Sequence, residues 1–409
     1  MKNFSHKENT LLIKVNSIIS VVGFNTFCSG KLKFFNTIIK PAVTFISIMI
    51  PVLVLNLTSC DTIDNNKVEP PPPLPDDAAL YLSMDGVKAG LWVLNANSLK
   101  LVDSMITVPA VPWYVEFSPD YNIWYSIWGR LGNEKLYSGT TSPLKVLNSV
   151  QLLDAKSGLV KSPDDNYLIA YLNKGIDIFD RTTMNLILHD TSLGGGKWTR
   201  IAMSKHQDRF YFTIRRPDRE LIGFGLFDLN ELKIIDSVLV FNPDEYPHME
   251  DADLVLSPDD RQLYLSVWNW RHGGGFNSFF VIDVIEKKII GEFPCGPFAQ
   301  LAVSPDGKSV YISNPNGYLY GFQSNERMLR YDVVTNTMHK FLDIGGTDRI
   351  VVADDNRTIF ITTIYGGDII KVDANTKKVI GRFPLPLDSL GRATNTTRNI
   401  TLGRYFTKN

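Results

Sequence analysis

"LAVSPDGKSVYISN", Leu301 to Asn314, is the stretch whose reading decides the fold. Two short apolar runs alternate with period two and flank a Ser-Pro-Asp-Gly turn, the pattern of a tight strand–turn–strand unit. The unit recurs in both directions along the chain. Copies are "VEFSPDYNIWYSIW" from Val115, "LVKSPDDNYLIAYL" from Leu159, "IAMSKHQDRFYFTI" from Ile201, "LVLSPDDRQLYLSV" from Leu254 and "IVVADDNRTIFITT" from Ile350. The anchor residues are Ser118, Ser162, Ser204, Ser257, Ser304 and Ala353, spaced 44, 42, 53, 47 and 49 residues apart.

Each unit carries a second signature. "GIDIFDRTTMNLI", "GFGLFDLNELKII", "SFFVIDVIEKKII", "MLRYDVVTNTMHK" and "DIIKVDANTKKVI" each run from an apolar strand ending in Asp, through a polar turn, into another apolar strand. Four short strands per unit of about 45 residues is the signature of β-propeller blades. Six anchors give six blades. "ALYLSMDGVKAGLWVLNANSLKLVDSMI", before the first anchor, reads as three strands lacking an inner one. "NITLGRYFTKN" at the C-terminus supplies that strand, with Thr401 lying 48 residues after Ala353. The expectation is therefore an all-β, seven-bladed propeller over 78–409, monomeric and closed by its C-terminal strand. Closure removes the open sheet edges that would otherwise template aggregation.

The pattern "AVSPDGKSVYISN … VIDVIEKKIIGEFPCG" resembles the YVTN-type β-propeller repeats, related in shape to WD-type propellers. The resemblance covers residues 78–409. It implies the fold and says little about function, because such propellers host many roles.

Upstream, residues 42–57 form a 16-residue apolar run preceded by Lys31, Lys33 and Lys40. That is short for a membrane span of about 20 residues and suits a signal-peptide core. It ends in Leu57-Thr58-Ser59-Cys60, which resembles the lipobox of bacterial lipoproteins. Residues 1–59 are then a leader, longer than usual, and Cys60 is the lipidated residue. The resemblance implies a chain anchored to the bacterial cell envelope through lipid on Cys60, facing away from the cytoplasm. Asp61 follows directly; an acidic residue there resembles a retention signal in some bacteria and a surface-export signal in others, so the leaflet stays open. Residues 60–77 continue as a linker whose proline run favours extended polyproline II, a stiff spacer.

The leader holds six Lys and one Glu, +5, so of the formal charge of -1 the remainder carries -6. An acidic domain argues against nucleic acid as partner. Of three cysteines, Cys28 lies in the leader and Cys60 takes the lipid, leaving Cys295 without an intramolecular disulfide partner.

With strands A to D counted outward from the channel, the Ser-Pro-Asp turns join A to B. The B-to-C and D-to-A connections share the other face. B-to-C segments carry Trp128, Arg130, Arg215, Arg216, Arg219, Trp268, Trp270, Arg271, His272, Tyr318, Tyr320 and Tyr365. D-to-A segments carry Trp113, Trp198, Arg200, Phe298 and Arg349. Five of the seven Trp thus share one face, and clustered aromatics with Arg are what binding surfaces select. Trp92 and Trp124 read instead as plugs between blades. The candidate ligand-binding set is Trp113, Trp128, Arg130, Trp198, Arg200, Arg215, Trp268, Trp270, Arg271, His272 and Arg349, for a protein segment or a glycan.

The rival reading is a propeller enzyme of the lactonase or dehydrogenase kind. Glu116, Asp253 and Arg349 are then the acid–base candidates at the channel mouth, and a raised carboxylate pKa there would favour it. No cofactor or metal site is expected. The histidines lack ligand spacing, the acidic stretch Asn242 to Leu256 lacks the spacing of a calcium loop, and Cys295 reads as a small filler.

Overall fold

In the computed structural model, the described residues are 71–406 apart from 130–132, 154–157, 172–174, 192–199, 217–219, 243, 247, 270–276, 316–327, 345, 364–366 and 387–394. The leader, Cys60 and the start of the linker lie outside them. Seven four-stranded antiparallel sheets form the blades of a propeller, and there is no helix among the described residues. The inner strands are Val111–Phe117, Gly158–Lys161, Ile201–Met203, Met249–Leu256, Leu301–Val303, Thr347–Val352 and Asn395–Arg404. Each touches the inner strand of the next blade, and the last touches the first.

Local chemistry accounts for both repeat signatures. At Ser118, Ser162, Ser257 and Ser304 the hydroxyl donates to the Asp two residues on at 2.6 to 2.7 Å. The same oxygen accepts the backbone N–H five residues on at 2.9 to 3.0 Å. Ser and Asp therefore tie the A-to-B turn from both sides. At five of the six anchors the residue three beyond is left-handed, adopted by Tyr121, Asp165, Asp260 and Asn356 (φ 56 to 64°) as well as by Gly307; Gln207, three beyond Ser204, is the exception. The turn does not demand glycine: Tyr, Asp and Asn fill the left-handed position in other copies, at Asn356 even though Ala353 has no hydroxyl to hold the turn. The Asp that ends strand C likewise accepts backbone N–H groups two or three residues on, as at Asp228 and Asp283.

The core is divided. Seven apolar clusters each draw on two neighbouring blades. Outermost strands alternate exposed and half-buried residues, as in Lys288–Pro294. Trp124 is fully buried between the first and second blades, as its sequence position predicts, and its indole N–H donates to the Thr140 carbonyl at 2.8 Å. Gly139 lies against that ring: a Cβ there would sit 2.2 Å from Trp124 Cζ2 and 2.1 Å from the Lys145 carbonyl oxygen. Gly139→Ala is expected to destabilise the blade by about 2–3 kcal/mol through overpacking, read as a lowered midpoint in thermal unfolding. An unchanged midpoint would contradict the close approach.

The ring closes as the repeat phase predicts. The strand Asn395–Arg404 pairs antiparallel with Ala78–Gly86, placing Thr401 opposite Tyr81. The Tyr81 hydroxyl donates to the Arg404 carbonyl at 2.7 Å, and the Tyr405 hydroxyl to Asp103 at 3.0 Å. The propeller's contacts begin upstream of residue 78. Leu74 is buried, its N–H donates to Asn97 at 2.9 Å, and Asp77 pairs with Arg404. The end of the linker is thus held by the closing seam, a tertiary contact that a proline-rich composition does not reveal.

Candidate channel-mouth site

In every blade the start of the inner strand pairs with the end of strand B, so those residues gather at one end of the channel. Val111 faces Gly129, Glu250 faces Trp268 and Thr347 faces Thr363. Four residues before each anchor, one position per blade reads Tyr114, Gly158, Arg200, Asp253, Gln300, Arg349 and Thr397. Most of these side chains stay partly accessible while the residues following them are mostly buried, the period-two signature of a strand with one side toward the channel.

The members of this tier interact across blades. Arg349 donates to the side-chain oxygen of Gln300, and Gln300 in turn donates to the Phe298 carbonyl at 3.2 Å. Asp253 accepts the Leu301 N–H at 2.8 Å and the Leu254 N–H at 3.0 Å. Burial raises its pKa, and Arg200 and Arg349 pull it back down. Burial opposes the charge of Arg349, but Tyr114, Asp348 and Asp253 outweigh it and hold the guanidinium more firmly protonated than usual.

Gly158 is the tier's missing side chain. A Cβ there would lie 2.3 Å from Cζ of Tyr171, so the tyrosine ring occupies the position that other blades fill from the inner strand. Tyr171 lies 6.4 Å from the Tyr114 ring, centroid to centroid. Burial raises its phenol well above the usual range, with Tyr114, Arg200, Asp253 and Glu116 all within electrostatic reach. Sequence reasoning missed Tyr171. The signal that could have found it is the lone Gly in the channel register, beside a strand that ends in Tyr.

Two residues further along, the equivalent positions are Glu116, Val160, Ala202, Val255, Ala302, Val351 and Asn399. Glu116 is the one acid in a largely apolar level. Burial pushes its carboxyl up to about 7, with Lys161 pulling the other way. That carboxyl can hold or release a proton near neutrality.

The predicted face residues divide. Trp113, Arg200, Trp268 and Arg349 stand at the channel mouth, half-buried. Trp113 packs against Arg398, whose guanidinium carbon lies 5.3 Å from the ring centroid. Trp268 packs on Phe298 with centroids 4.1 Å apart, so Phe298 is what covers this indole. Trp128 and Arg215, expected on the ligand face, are instead 5% and 3% exposed. Trp128 stacks between Trp124 and Tyr137. Arg215 is in an ion pair with Asp251, which also accepts the Thr213 hydroxyl at 2.7 Å. The neighbouring blade covers both, so a ligand could reach neither without opening the packing. Arg130, Trp198, Trp270, Arg271 and His272 lie outside the described residues.

The acidic stretch from Asn242 proves to be half strand. Met249–Leu256 is an inner strand, with Asp251 buried in its ion pair and Asp253 on the channel tier. His248 pairs with Glu220 at 2.8 Å. No cluster of three or more metal-ligating residues occurs among the described residues. Cys295 is partly buried against the core between the fifth and sixth blades, and burial pushes its thiol up to about 12, which suits an inert filler.

No family model matches the chain, and no curated protein matches it by sequence. Among solved structures it is similar to hydrazine synthase from Kuenenia stuttgartiensis, at TM-score 0.54 and 13% identity, covering 72% of this chain and 95% of that one. It is also similar to the dihydro-heme d1 dehydrogenase NirN in complex with DHE, at 0.53 and 14%, covering 83% and 78%. A third similar structure is a functionally unknown protein from Desulfotomaculum acetoxidans, at 0.52 and 12%, covering 80% and 99%. Identities this low speak for the fold alone.

Proposed function

We propose that the protein is a lipid-anchored, extracytoplasmic β-propeller of the bacterial cell envelope that binds a protein segment or a glycan at its channel mouth. The observation that carries this reading is convergence. Trp113, Arg200, Trp268 and Arg349, contributed by four different blades, gather at one opening around the polar tier of Tyr114, Tyr171, Asp253 and Gln300. Flat rings and guanidinium forks around a concave opening supply contact area and oriented donors together. The full chain, purified in detergent, is expected to bind one ligand class on a glycan array or a peptide library. Trp268→Ala should weaken that binding by about tenfold, compared at a temperature where circular dichroism shows the variant fully folded, since the change also removes packing on Phe298. Equal binding by both proteins would remove this face from the function.

The anchor is checked separately. Cells expressing the full chain and fed labelled palmitate should label it, and Cys60→Ala should abolish the label. Persistent labelling of the variant would place the lipid elsewhere.

A second reading, a propeller enzyme, is favoured by one observation: the Glu116 carboxyl titrates near neutrality, as a general acid–base requires. Turnover of a lactone or alcohol substrate, abolished in Glu116→Gln, would establish it. Equal turnover by wild type and variant would exclude Glu116 from the chemistry.

A further inference from the structure

Two residues past the end of strand C, each blade turns toward its outer strand. Five blades carry Asn97, Pro143, Thr182, Asn230 and Asn375 at this position; the fifth and sixth blades carry Ile285 and Val334. These two are 69% and 76% exposed, so one repeat position turns aliphatic and solvent-facing in two adjacent blades only. Beside them lie two cavities. Between the fourth and fifth blades, one of about 280 Å³ is lined by Ser204, Arg209 and Tyr211 from one side and by Asp259, Val284 and Ile285 from the other. Between the fifth and sixth, one of about 180 Å³ repeats the plan with Ser257, Gln262, Tyr264, Asp306 and Val333. Asp259 lines both, so the cavities adjoin. A recess of about 30 Å³ shares Tyr211 and Val284 with the first and extends it with the apolar walls of Phe224, Leu226 and Val238. The A-to-B and C-to-D turns that build these cavities stand at the end of the ring opposite the channel mouth.

The second and third blades show what fits this slot. There the residue equivalent to Val284 and Val333 is Arg181, and it lies against Tyr125, the equivalent of Tyr211 and Tyr264. Its guanidinium carbon is 5.9 Å from the ring centroid, Nη1 donates to the Tyr125 hydroxyl at 2.9 Å and Nε to the Asp165 carbonyl at 2.6 Å. The protein fills that junction with its own long side chain. Valine at the two later junctions is too short to do so, and the volume stays open. The polar groups narrow the occupant. Asp259 accepts the Ser257 hydroxyl at 2.6 Å and the Arg261 N–H at 3.2 Å. Asp260 accepts the Ser204 hydroxyl at 2.5 Å and the Lys205 N–H at 3.3 Å. Arg209 and Arg261 balance these two carboxylates, so the larger cavity has no net charge to offer an ion. What it offers is a donor: Nε of Arg209 is buried with no hydrogen-bond partner among the described residues, where buried N–H groups are almost always paired. A neutral carbonyl answers that donor without adding a charge. An extended polypeptide carries a carbonyl at every residue and alternate side chains on one face, so one segment serves both cavities.

We propose that this end of the ring is a docking surface for an extended segment of a partner protein. A long aliphatic side chain of the segment enters the cavity between the fourth and fifth blades, a shorter one enters the cavity between the fifth and sixth, and Ile285 and Val334 cover them. A backbone carbonyl of the segment accepts Nε of Arg209. The surface is independent of the channel mouth and lies at the other end of the ring, so both can be occupied at once. No bond is made or broken.

The test is selection of a displayed library of random peptides on the full chain in detergent, followed by calorimetric titration of the selected peptides. The expected peptides share two aliphatic residues, slow deuterium exchange of the turns at 284–287 and 333–336, and bind Trp268→Ala as well as wild type. Ile285→Asn with Val334→Asn, which copies the residue of other blades at two exposed positions, should weaken binding at least tenfold. Arg209→Met, which keeps the stem and removes the donor, should lose about tenfold. Val333→Arg, which supplies the side chain that Arg181 supplies elsewhere, should close the smaller cavity to the peptide. Melting temperatures confirm that each variant is folded. A library that yields no peptide overturns the proposal without any variant. Equal affinity for wild type and the double Asn variant overturns it, and so do peptides lost only on Trp268→Ala, which belong to the mouth. Two further outcomes assign the patch to another occupant and overturn it as well. One is slowed exchange of the same turns when the chain without peptide moves from detergent into phosphatidylethanolamine nanodiscs, the mark of a lipid contact. The other is self-association in sedimentation that the double Asn variant loses, the mark of a second copy.

Discussion

Removal of residues 395–409 is expected to abolish cooperative unfolding and leave the chain insoluble. The segment supplies the inner strand of the first blade, paired along Ala78–Gly86. Without it the first blade loses its inner strand, the strand pairing that joins the two ends of the chain is gone, and the edge of Ala78–Gly86 is exposed. More than hydrogen bonds would go. Ile400 belongs to the buried cluster between the last and first blades, with Leu80, Leu82 and Phe360. Arg398 holds Asp85, Arg404 holds Asp77, and Tyr405 reaches Asp103. A seven-bladed ring missing one inner strand has no smaller closed arrangement to relax into. Soluble expression with a single sharp thermal transition would mean that the seam is not what holds the ring. A milder test is Gly403→Phe. A Cβ at Gly403 would already lie 2.8 Å from the Phe117 ring, and a larger side chain would force strand and second blade apart.

The second large effect is the pH dependence of stability set by Glu116. Its carboxyl has an ordinary pKa of 4.5 when the chain is unfolded and about 7 when folded. Between these values the folded state binds more protons than the unfolded one. Stability from this group is therefore fully present below the unfolded value, falls as pH rises through the folded one, and is flat above it. The whole span amounts to roughly 3 kcal/mol. Glu116→Gln removes the titrating proton and is expected to be the more stable protein at pH 8 by several degrees, with little difference at pH 5. Thermal melts at pH 5, 6, 7 and 8 read this directly. Parallel curves for the two proteins would show that burial does not hold the proton on Glu116.

Most of the fold was legible because a propeller repeats its local chemistry. Ser118, Ser162, Ser257 and Ser304 each make the same two hydrogen bonds within a few residues, so each copy prints the same short motif. The phase of those motifs, extended by 48 residues from Ala353 to Thr401, was enough to predict ring closure. The site was legible only in part. Trp113, Arg200, Trp268 and Arg349 could be assigned to one end because strand order decides which end a connection faces. Trp128 and Arg215 met the same criterion, yet they turn into the protein. Whether a side chain at a strand end faces the opening or the next blade depends on the strand's register and on what that blade offers. For Arg215 it offers Asp251, 38 residues from Thr213, which donates to the same carboxylate.

Tyr171 and Glu116 mark the same boundary from the other side. Tyr171 enters the channel because Gly158, on the strand beside it, has no side chain to keep it out. Glu116 holds its proton near neutrality because the equivalent positions of other blades, tens to hundreds of residues away, are mostly valine and alanine. The sequence by itself determined the blade, the number of blades and the strand that closes them, since turn chemistry and period-two alternation act between near neighbours. Only the tertiary structure decided which polar groups meet in the channel and which donors are left open between blades. Those properties depend on distances between blades and on the water that packing excludes, and neither is written in any single repeat.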